Sequence, residues 1–287
     1  TLHPILCKSS SAWAVMQPCA LPVRRKCTVG CPLLDRCLGG GIPSNSITEI
    51  VAESGSGKTQ LCLQLCLSAQ LPPSHGGLAA SSIYLHTEFP FPTRRLHQLS
   101  NTFPIRFPHL NADNLCDAIF VQSVHTADEL LDTIPRIESF IVNARTRLPV
   151  KLIVIDSIAA LFRPEFENTA SDLKKRASLF FKLSGRLKAL AASFDLAIMV
   201  TNQVVDFIDS GESVNGVQVG NIGMMVTSGR RVCPALGLSW ANCVNSRLFL
   251  SRDLCGKREL HVAFAPHLPY SSCQYVVKKE GVVGVES

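Results

Sequence analysis

Residues 52–59 read A-E-S-G-S-G-K-T, a glycine-rich loop ending in Lys58-Thr59 and set between the run I-T-E-I-V at 47–51 and the run K-T-Q-L-C-L-Q-L-C-L-S-A from Lys58 onward. In the pattern G-x-x-x-x-G-K-[ST], backbone N–H groups wrap nucleotide phosphates, the lysine reaches the β- and γ-phosphates, and the hydroxyl holds Mg²⁺. Gly57, Lys58 and Thr59 match, whereas Ala52 stands where the pattern has glycine and adds a methyl at a position usually left free of a side chain. The flanks supply the right context. A β-branched run predicts a strand, and Leu61, Leu65 and Ala69 share one face of the following helix, whose positive N-terminal end points at the phosphates. The predicted nucleotide contacts are therefore Glu53, Ser54, Gly55, Ser56, Gly57, Lys58, Thr59 and Gln60. The expected ligands are ATP and Mg²⁺, with Thr59 on the metal.

Working outward, the 287 residues suffice for one α/β domain with a substantial core, and the 46% hydrophobic and 17% charged content fits a mostly buried sheet. The chain divides into an N-terminal arm over 1–27, mixed in composition and carrying Trp13, and a core over 28–287. No run approaches the ~20 apolar residues of a membrane span, since the most apolar segment, 152–162, contains Asp156. No secretory leader is read in residues 1–19. The twelve cysteines contain no C-x-x-C pair, so they predict neither a zinc site nor a disulfide scaffold; Cys62 and Cys66 read as small apolar helix residues. A net charge of +6 favours an anionic partner. The cations between Arg163 and Lys188 read first as a solvated helix face.

Strands are expected at 82–87, 118–123, 152–155 and 196–201, alternating with helices at 93–102, 127–146 (tolerating Pro135 near its first turns) and 171–194, where Leu173, Phe180, Leu187 and Phe194 form a core stripe. Such alternation predicts a parallel sheet. Polar residues recur where the strands end: Glu88, then Asp156 after L-I-V-I, then Asn202 and Gln203. Ligands of open α/β sheets sit beyond the carboxyl ends of strands, so Glu88, Asp156 and Gln203 face the nucleotide, with Asp156 as a second Mg²⁺ ligand. Residues 204–234 are polar and glycine-punctuated, with Phe207 as sole aromatic and Arg230 and Arg231 at the end; a loop of this length either closes over an anionic polymer or is a surface insertion without a function. Residues 246–285 predict strands that complete the sheet, with Glu280-Gly281 turning a last hairpin.

Together these motifs resemble the eukaryotic RecA-type recombinases. The resemblance is carried by T-V-G-C-P-L-L-D-R-C-L-G-G-G-I-P at 28–43, S-I-T-E-I, G-S-G-K-T-Q-L-C-L-Q-L, I-Y-L-H-T-E at Glu88, L-I-V-I-D-S at Asp156, A-L-F-R-P-E-F at Arg163 and V-T-N-Q-V at Gln203. It covers nearly all of 28–287 and implies a RecA-like P-loop core with C-terminal antiparallel strands. By type the chain is similar to a recombinase paralogue that assists homologous-recombination repair of double-strand breaks and Holliday-junction processing. The implied place is the nucleus, with some cytoplasmic protein, and the implied partners are a C-type recombinase paralogue as heterodimer, the main recombinase filament, and single-stranded or branched DNA. Carried over by position, Lys58, Glu88 and Gln203 are catalytic, Glu88 orienting the attacking water and Gln203 sensing the γ-phosphate; Arg95 stacks on adenine. Arg163 with the segment to 172, and 204–234 with Arg230 and Arg231, correspond to two DNA-binding loops. Ala52, Pro92 and Ala265-Pro266 depart from the family pattern and imply slow hydrolysis.

Two other readings stay open on sequence alone. An autonomous DNA-stimulated ATPase or strand-exchange motor would need a filament-forming arm motif, and none is evident in 1–27. A P-loop kinase for a small substrate would use the long loop as a lid and yield a phosphorylated product.

Overall fold

The computed structural model describes residues 25–88, 90–108, 115–162, 169–207 and 225–286. A short strand pair, β1 (Lys26–Cys27) and β2 (Ile42–Pro43), encloses helix α1 (Pro32–Cys37) and leads into β3 (Ser46–Ala52), the phosphate loop and α2 (Lys58–Ser68). There follow β4 (Ser81–His86), α3 (Thr93–Arg106), β5 (Ile119–Ser123), α4 (Ala127–Asn143), β6 (Val150–Asp156), α5 (Ile158–Phe162), α6 (Ala170–Phe194) and β7 (Ala197–Asn202). Then come β8 (Val204–Asp206), β9 (Met225–Thr227), β10 (Arg230–Pro234), α7 (Gly237–Ala241), β11 (Ser246–Arg252), β12 (Arg258–Phe264), β13 (Ser272–Lys278) and β14 (Gly281–Gly284).

The large sheet runs β14-β13-β12-β11-β3-β7-β6-β4-β5. From β11 to β5 every pairing is parallel, and β12, β13 and β14 add on antiparallel, so the RecA-like arrangement expected from the sequence is the one observed. Because successive strand residues point to opposite faces, β6 serves two cores at once: Leu152 and Val154 pack under α2 and α3, Ile153 and Ile155 under α4 and α6.

Several expectations change in three dimensions. Helix α2 is not amphipathic, since every residue from Leu61 to Ser68 is buried between the sheet, α3 and β14. The one long polar side chain of that buried stretch, Gln64, donates to Val29 O (2.6 Å) and Val282 O (3.0 Å) and accepts from Val282 N (2.6 Å), stitching the helix to the last strand. In α6 the core face is Phe180, Leu183, Leu187, Leu190 and Ala191, while Leu173 in the first turn is 42% exposed and Phe194 at the last position only partly buried. Lys26 and Cys27 pair with Pro43 and Ile42, so the arm expected over 1–27 gives way to the core by Lys26. Gly41 makes that pairing feasible: it sits at φ 115°, and a Cβ there would lie 2.2 Å from Cys27 O. The segment 204–234, expected to be structureless, begins and ends in a three-stranded sheet of order β8-β10-β9, and 208–224 lie outside the described residues. The final hairpin turns on Lys279-Glu280, with Gly281 already paired to Lys278.

Pro135 lies in the interior of α4, not near its first turns, and removes the N–H that would have bonded Leu131 O. Arg186 of α6 replaces it, its Nη1 donating to Leu131 O at 3.0 Å. We expect Arg186→Ala to lower stability by about 1 kcal/mol in a urea titration, and by clearly less in a Pro135→Ala background, where the backbone donor returns.

Candidate nucleotide site

Where β3, β4, β6 and β7 end, a cleft of about 1050 Å³ opens, lined by the phosphate loop, Glu88, Arg95, Asp156, Gln203, Arg230 and the β13–β14 turn. Ala52 is the last residue of β3 and fully buried; the left-handed positions of the loop are Gly55 (φ 78°) and Gly57 (φ 108°), so the alanine costs the loop no strain. Gly57 caps α2, leaving the helix's first N–H groups toward the cleft. Lys58 Nζ donates to Ala52 O (2.8 Å) and Glu53 O (3.0 Å). Burial pushes its pKa below the ordinary lysine value, against the pull of Asp156, Glu88, Cys62 and Glu53. The Ser56 side chain is buried and faces away; its carbonyl accepts from Tyr275 OH at 2.6 Å, so only its backbone N–H can serve a phosphate.

Asp156 is the most tightly held group of the site. Its Oδ2 accepts from Thr59 Oγ1 (2.7 Å) and Tyr84 OH (2.6 Å), and its Oδ1 from Thr201 Oγ1 (2.6 Å). Three strands and the loop thus fix one carboxylate 2.7 Å from the hydroxyl that the motif assigns to Mg²⁺. A hard divalent cation takes oxygen ligands of this type, so Thr59 and Asp156 fit it, directly or through water. Tyr84 and Thr201 escaped the sequence reading because each looks like an ordinary strand residue; the only signal was their place one pleat from a polar strand end. Thr87 Oγ1 donates to Ser157 O (2.8 Å) and accepts from Ser157 N (2.9 Å), tying the end of β4 to that of β6. Beyond it Glu88 Oε1 accepts from Gln203 Nε2 at 2.7 Å. The two residues expected to handle the attacking water and the γ-phosphate therefore meet, although 115 positions separate them in sequence.

Arg95 reaches the cleft from the first turn of α3. Its Nε donates to Gln60 Oε1 (2.6 Å), its Nη2 to Lys278 O (2.7 Å) and its Nη1 to Lys279 O (2.9 Å) and to Gln98. The guanidinium plane is set by these bonds, as a stacking platform for a base requires. Arg258, Lys278 and Lys279 also line the cleft and were missed, since each reads as a solvated charge on a late strand or turn.

Arg230 and Arg231 part company. Arg230 turns into the nucleotide cleft, where it meets Glu53 and Asp206, so the expectation that it projects from a DNA-binding loop is corrected; residue alternation along β10 sends it and Arg231 to opposite faces. Arg231 is exposed. Arg163 lies outside the described residues, as does most of the first loop up to 168.

Beneath the loop lies a charge pair that the sequence did not disclose. Glu49 and Arg247 are fully buried, with Arg247 Nε donating to Glu49 Oε2 at 2.6 Å, while Asn202 Nδ2 (2.7 Å) and Trp240 Nε1 (2.9 Å) donate to Glu49 Oε1. With Asn202 the pair joins β3, β7 and β11 below the phosphate loop.

Cys62 and Cys66 are buried beside this machinery, and burial pushes the Cys66 thiol up to about 12, in keeping with apolar helix residues rather than reactive ones. Among the described residues there is no disulfide, no cluster suited to holding a metal by His, Cys or carboxylates alone, and no helix long and apolar enough to cross a membrane.

Comparison with known proteins agrees with this geometry. The Rad51 family model matches residues 24–285. The chain is 55% identical over 289 residues to the DNA repair protein XRCC3 homolog of Arabidopsis thaliana, covering 93% of this chain and 95% of that protein. It is 37% identical over 288 residues to the DNA repair protein XRCC3 of Bos taurus, covering 91% of this chain and 75% of that protein. To the DNA repair protein RAD51 homolog 2 of Homo sapiens it is 29% identical over 303 residues, with 98% and 77% covered. With its nucleotide cleft at the mouth of a mostly parallel sheet and a match over nearly its whole length, the chain belongs to the Rad51 family.

Proposed function

We propose that this protein is an ATP-binding recombinase paralogue of the XRCC3 type, acting in homologous-recombination repair of DNA. The observation that carries the reading is the fixed arrangement at the strand ends, with Asp156 on Thr59, Lys58 on the loop carbonyls and Glu88 on Gln203. Mg-ATP supplies the charge that such a site is built to receive; Lys58 neutralises phosphate oxygens, Thr59 and Asp156 hold the metal, Arg95 supports the base, and Gln203 with Glu88 positions water. Slow hydrolysis rests on the departures from the family pattern at Pro92 and Ala265-Pro266. The protein works as a nuclear mediator, paired with a C-type recombinase paralogue and acting on the main recombinase filament and on single-stranded or branched DNA. Support for the heterodimer is kinship with paralogues; the test is co-purification from cells, followed by ATPase assay with and without single-stranded DNA. A phosphorylated small-molecule product in that assay would replace this reading with that of a kinase.

For DNA, the exposed Arg231 at the stem of the second loop and Arg163 in the first are the proposed phosphate contacts. We expect Arg231→Ala to weaken single-stranded DNA binding and to reduce the slope of log affinity against log salt by about 0.7, one counterion's worth, measured by fluorescence anisotropy. An unchanged slope removes Arg231 from the interface.

A further inference from the structure

The Glu53 carboxylate is only 8% exposed and sits at the centre of a ring of donors: Thr227 Oγ1 (3.0 Å), Ser228 Oγ (2.5 Å), Arg230 Nη2 (3.3 Å) and Arg252 Nε (3.4 Å). Burial raises its pKa, yet the hydroxyls of Ser228 and Thr227 and the charges of Arg252 and Arg230 outweigh burial and hold it below the usual carboxylate range. This ring fastens the β9–β10 hairpin directly to the phosphate loop. Within it Arg230 differs from the rest. It is 54% exposed, it lines the cleft, and its Nη1 is engaged by a second carboxylate, Asp206 Oδ1 at 2.8 Å, which is itself 61% exposed. Such an ion pair, open to solvent, is weak and exchanges readily. Glu53 keeps three other donors when Arg230 leaves. A guanidinium released from a carboxylate finds its best alternative in phosphate oxygens, which it can bind through two parallel N–H groups.

Position indicates which phosphate. Arg230 belongs to β10, whose register pairs Pro234 with Val204 and Val232 with Asp206. Arg230 itself pairs with Thr227 of β9, and its side chain bridges Glu53 of the phosphate loop and Asp206 at the end of β8, in the cleft that Lys58, Glu88 and Gln203 also line. We propose that Arg230 is a nucleotide-reading residue: a bound nucleoside triphosphate draws its guanidinium off Asp206 and onto the terminal phosphate, while a diphosphate leaves the Asp206 pair in place. The stem β8–β10 of the second loop then registers the terminal phosphate through this arginine, beside the Gln203 contact. The inference rests on the ATP-binding reading above.

The test is calorimetry of the full chain, in complex with its partner where that is needed for solubility, using Mg-ADP and a non-hydrolysable Mg-ATP analogue. In Arg230→Ala the analogue's affinity is expected to fall about tenfold and that of ADP to stay within about twofold, since one charge-assisted contact is lost to one ligand only. Asp206→Asn removes the competitor and is expected to tighten the analogue by about twofold to fivefold without affecting ADP. Hydrogen exchange adds a second readout: the analogue, but not ADP, slows exchange of the amides of 225–234, and Arg230→Ala abolishes that difference. Equal losses for both nucleotides in Arg230→Ala, or an analogue affinity indifferent to Asp206→Asn, would make Arg230 a strut for Glu53 and overturn the proposal while leaving nucleotide binding intact. Lys58→Ala separates the two ideas: it weakens both nucleotides if the cleft is the nucleotide site, and an absence of effect there sinks the nucleotide reading and this inference with it.

Discussion

Replacing Lys58 by alanine is expected to weaken Mg-ATP binding by about a hundredfold or more while leaving the unfolding midpoint close to that of the unaltered protein. The ammonium is the one side-chain cation of the phosphate loop, and its two hydrogen bonds run to carbonyls of the loop itself, at Ala52 and Glu53. When nucleotide binds, those bonds are exchanged for phosphate contacts, each charge-assisted bond contributing roughly 1.5–3 kcal/mol, and about 1.4 kcal/mol corresponds to a decade in affinity. The free protein loses much less, because the space left by the shortened side chain lets water from the cleft reach the two carbonyls. Calorimetry for affinity and urea titration for stability measure the two effects separately. A lysine that merely braced the loop would show the reverse pattern, with stability lost and affinity kept.

The second large effect concerns stability. Arg247→Ala leaves the Glu49 carboxylate fully buried without its cation, beside the Asn202 and Trp240 donors, and breaking a buried pair in this way costs about 3–5 kcal/mol. The guanidinium also lies over the Phe264 ring, 5.5 Å from its centroid, so packing is lost along with charge. The joint replacement Glu49→Leu with Arg247→Met is expected to recover most of that loss in urea titration, since two desolvated charges are removed together. The site should respond as well: Glu49 holds Asn202, the neighbour of Gln203, and lies in the strand that feeds Glu53 and the phosphate loop. The double variant is therefore expected to restore stability more fully than nucleotide affinity. Should Arg247→Ala unfold at the same urea concentration as the unaltered chain, the pair contributes nothing and the junction of β3, β7 and β11 is held by its apolar residues alone.

The glycine loop with its strand and helix flanks, and polar residues after apolar strands at Glu88, Asp156 and Gln203, were legible in the chain because each depends on local rules: residue period, turn chemistry and the position of a strand's carboxyl end. At Pro135 the helix read from the sequence does continue, but the proline sits in its interior, and the carbonyl it leaves free is met by Arg186, far along the chain in another helix, which no local rule discloses. The same rules failed at Leu61–Ser68, where the periodic face suggested amphipathicity and burial on all sides erased it. Arg230 and Arg231 illustrate the limit most directly. As neighbours in a basic dipeptide they carry one meaning in sequence, and the pleat of β10 gives them two.

What the amino-acid sequence determined by itself is the class of ligand, a nucleotide, and the order along the chain of the strands and helices that form its cleft, since these follow from contacts between residues close along the chain. The tertiary structure alone decided which groups hold that chemistry in place: Tyr84 and Thr201 on Asp156, Glu88 on Gln203, Arg247 under Glu49, and Glu53 at the hub of the β9–β10 hairpin. Each of these contacts joins residues from different strands and turns, and a side chain's partner across a sheet is set by register and packing, neither of which is written in its own neighbourhood.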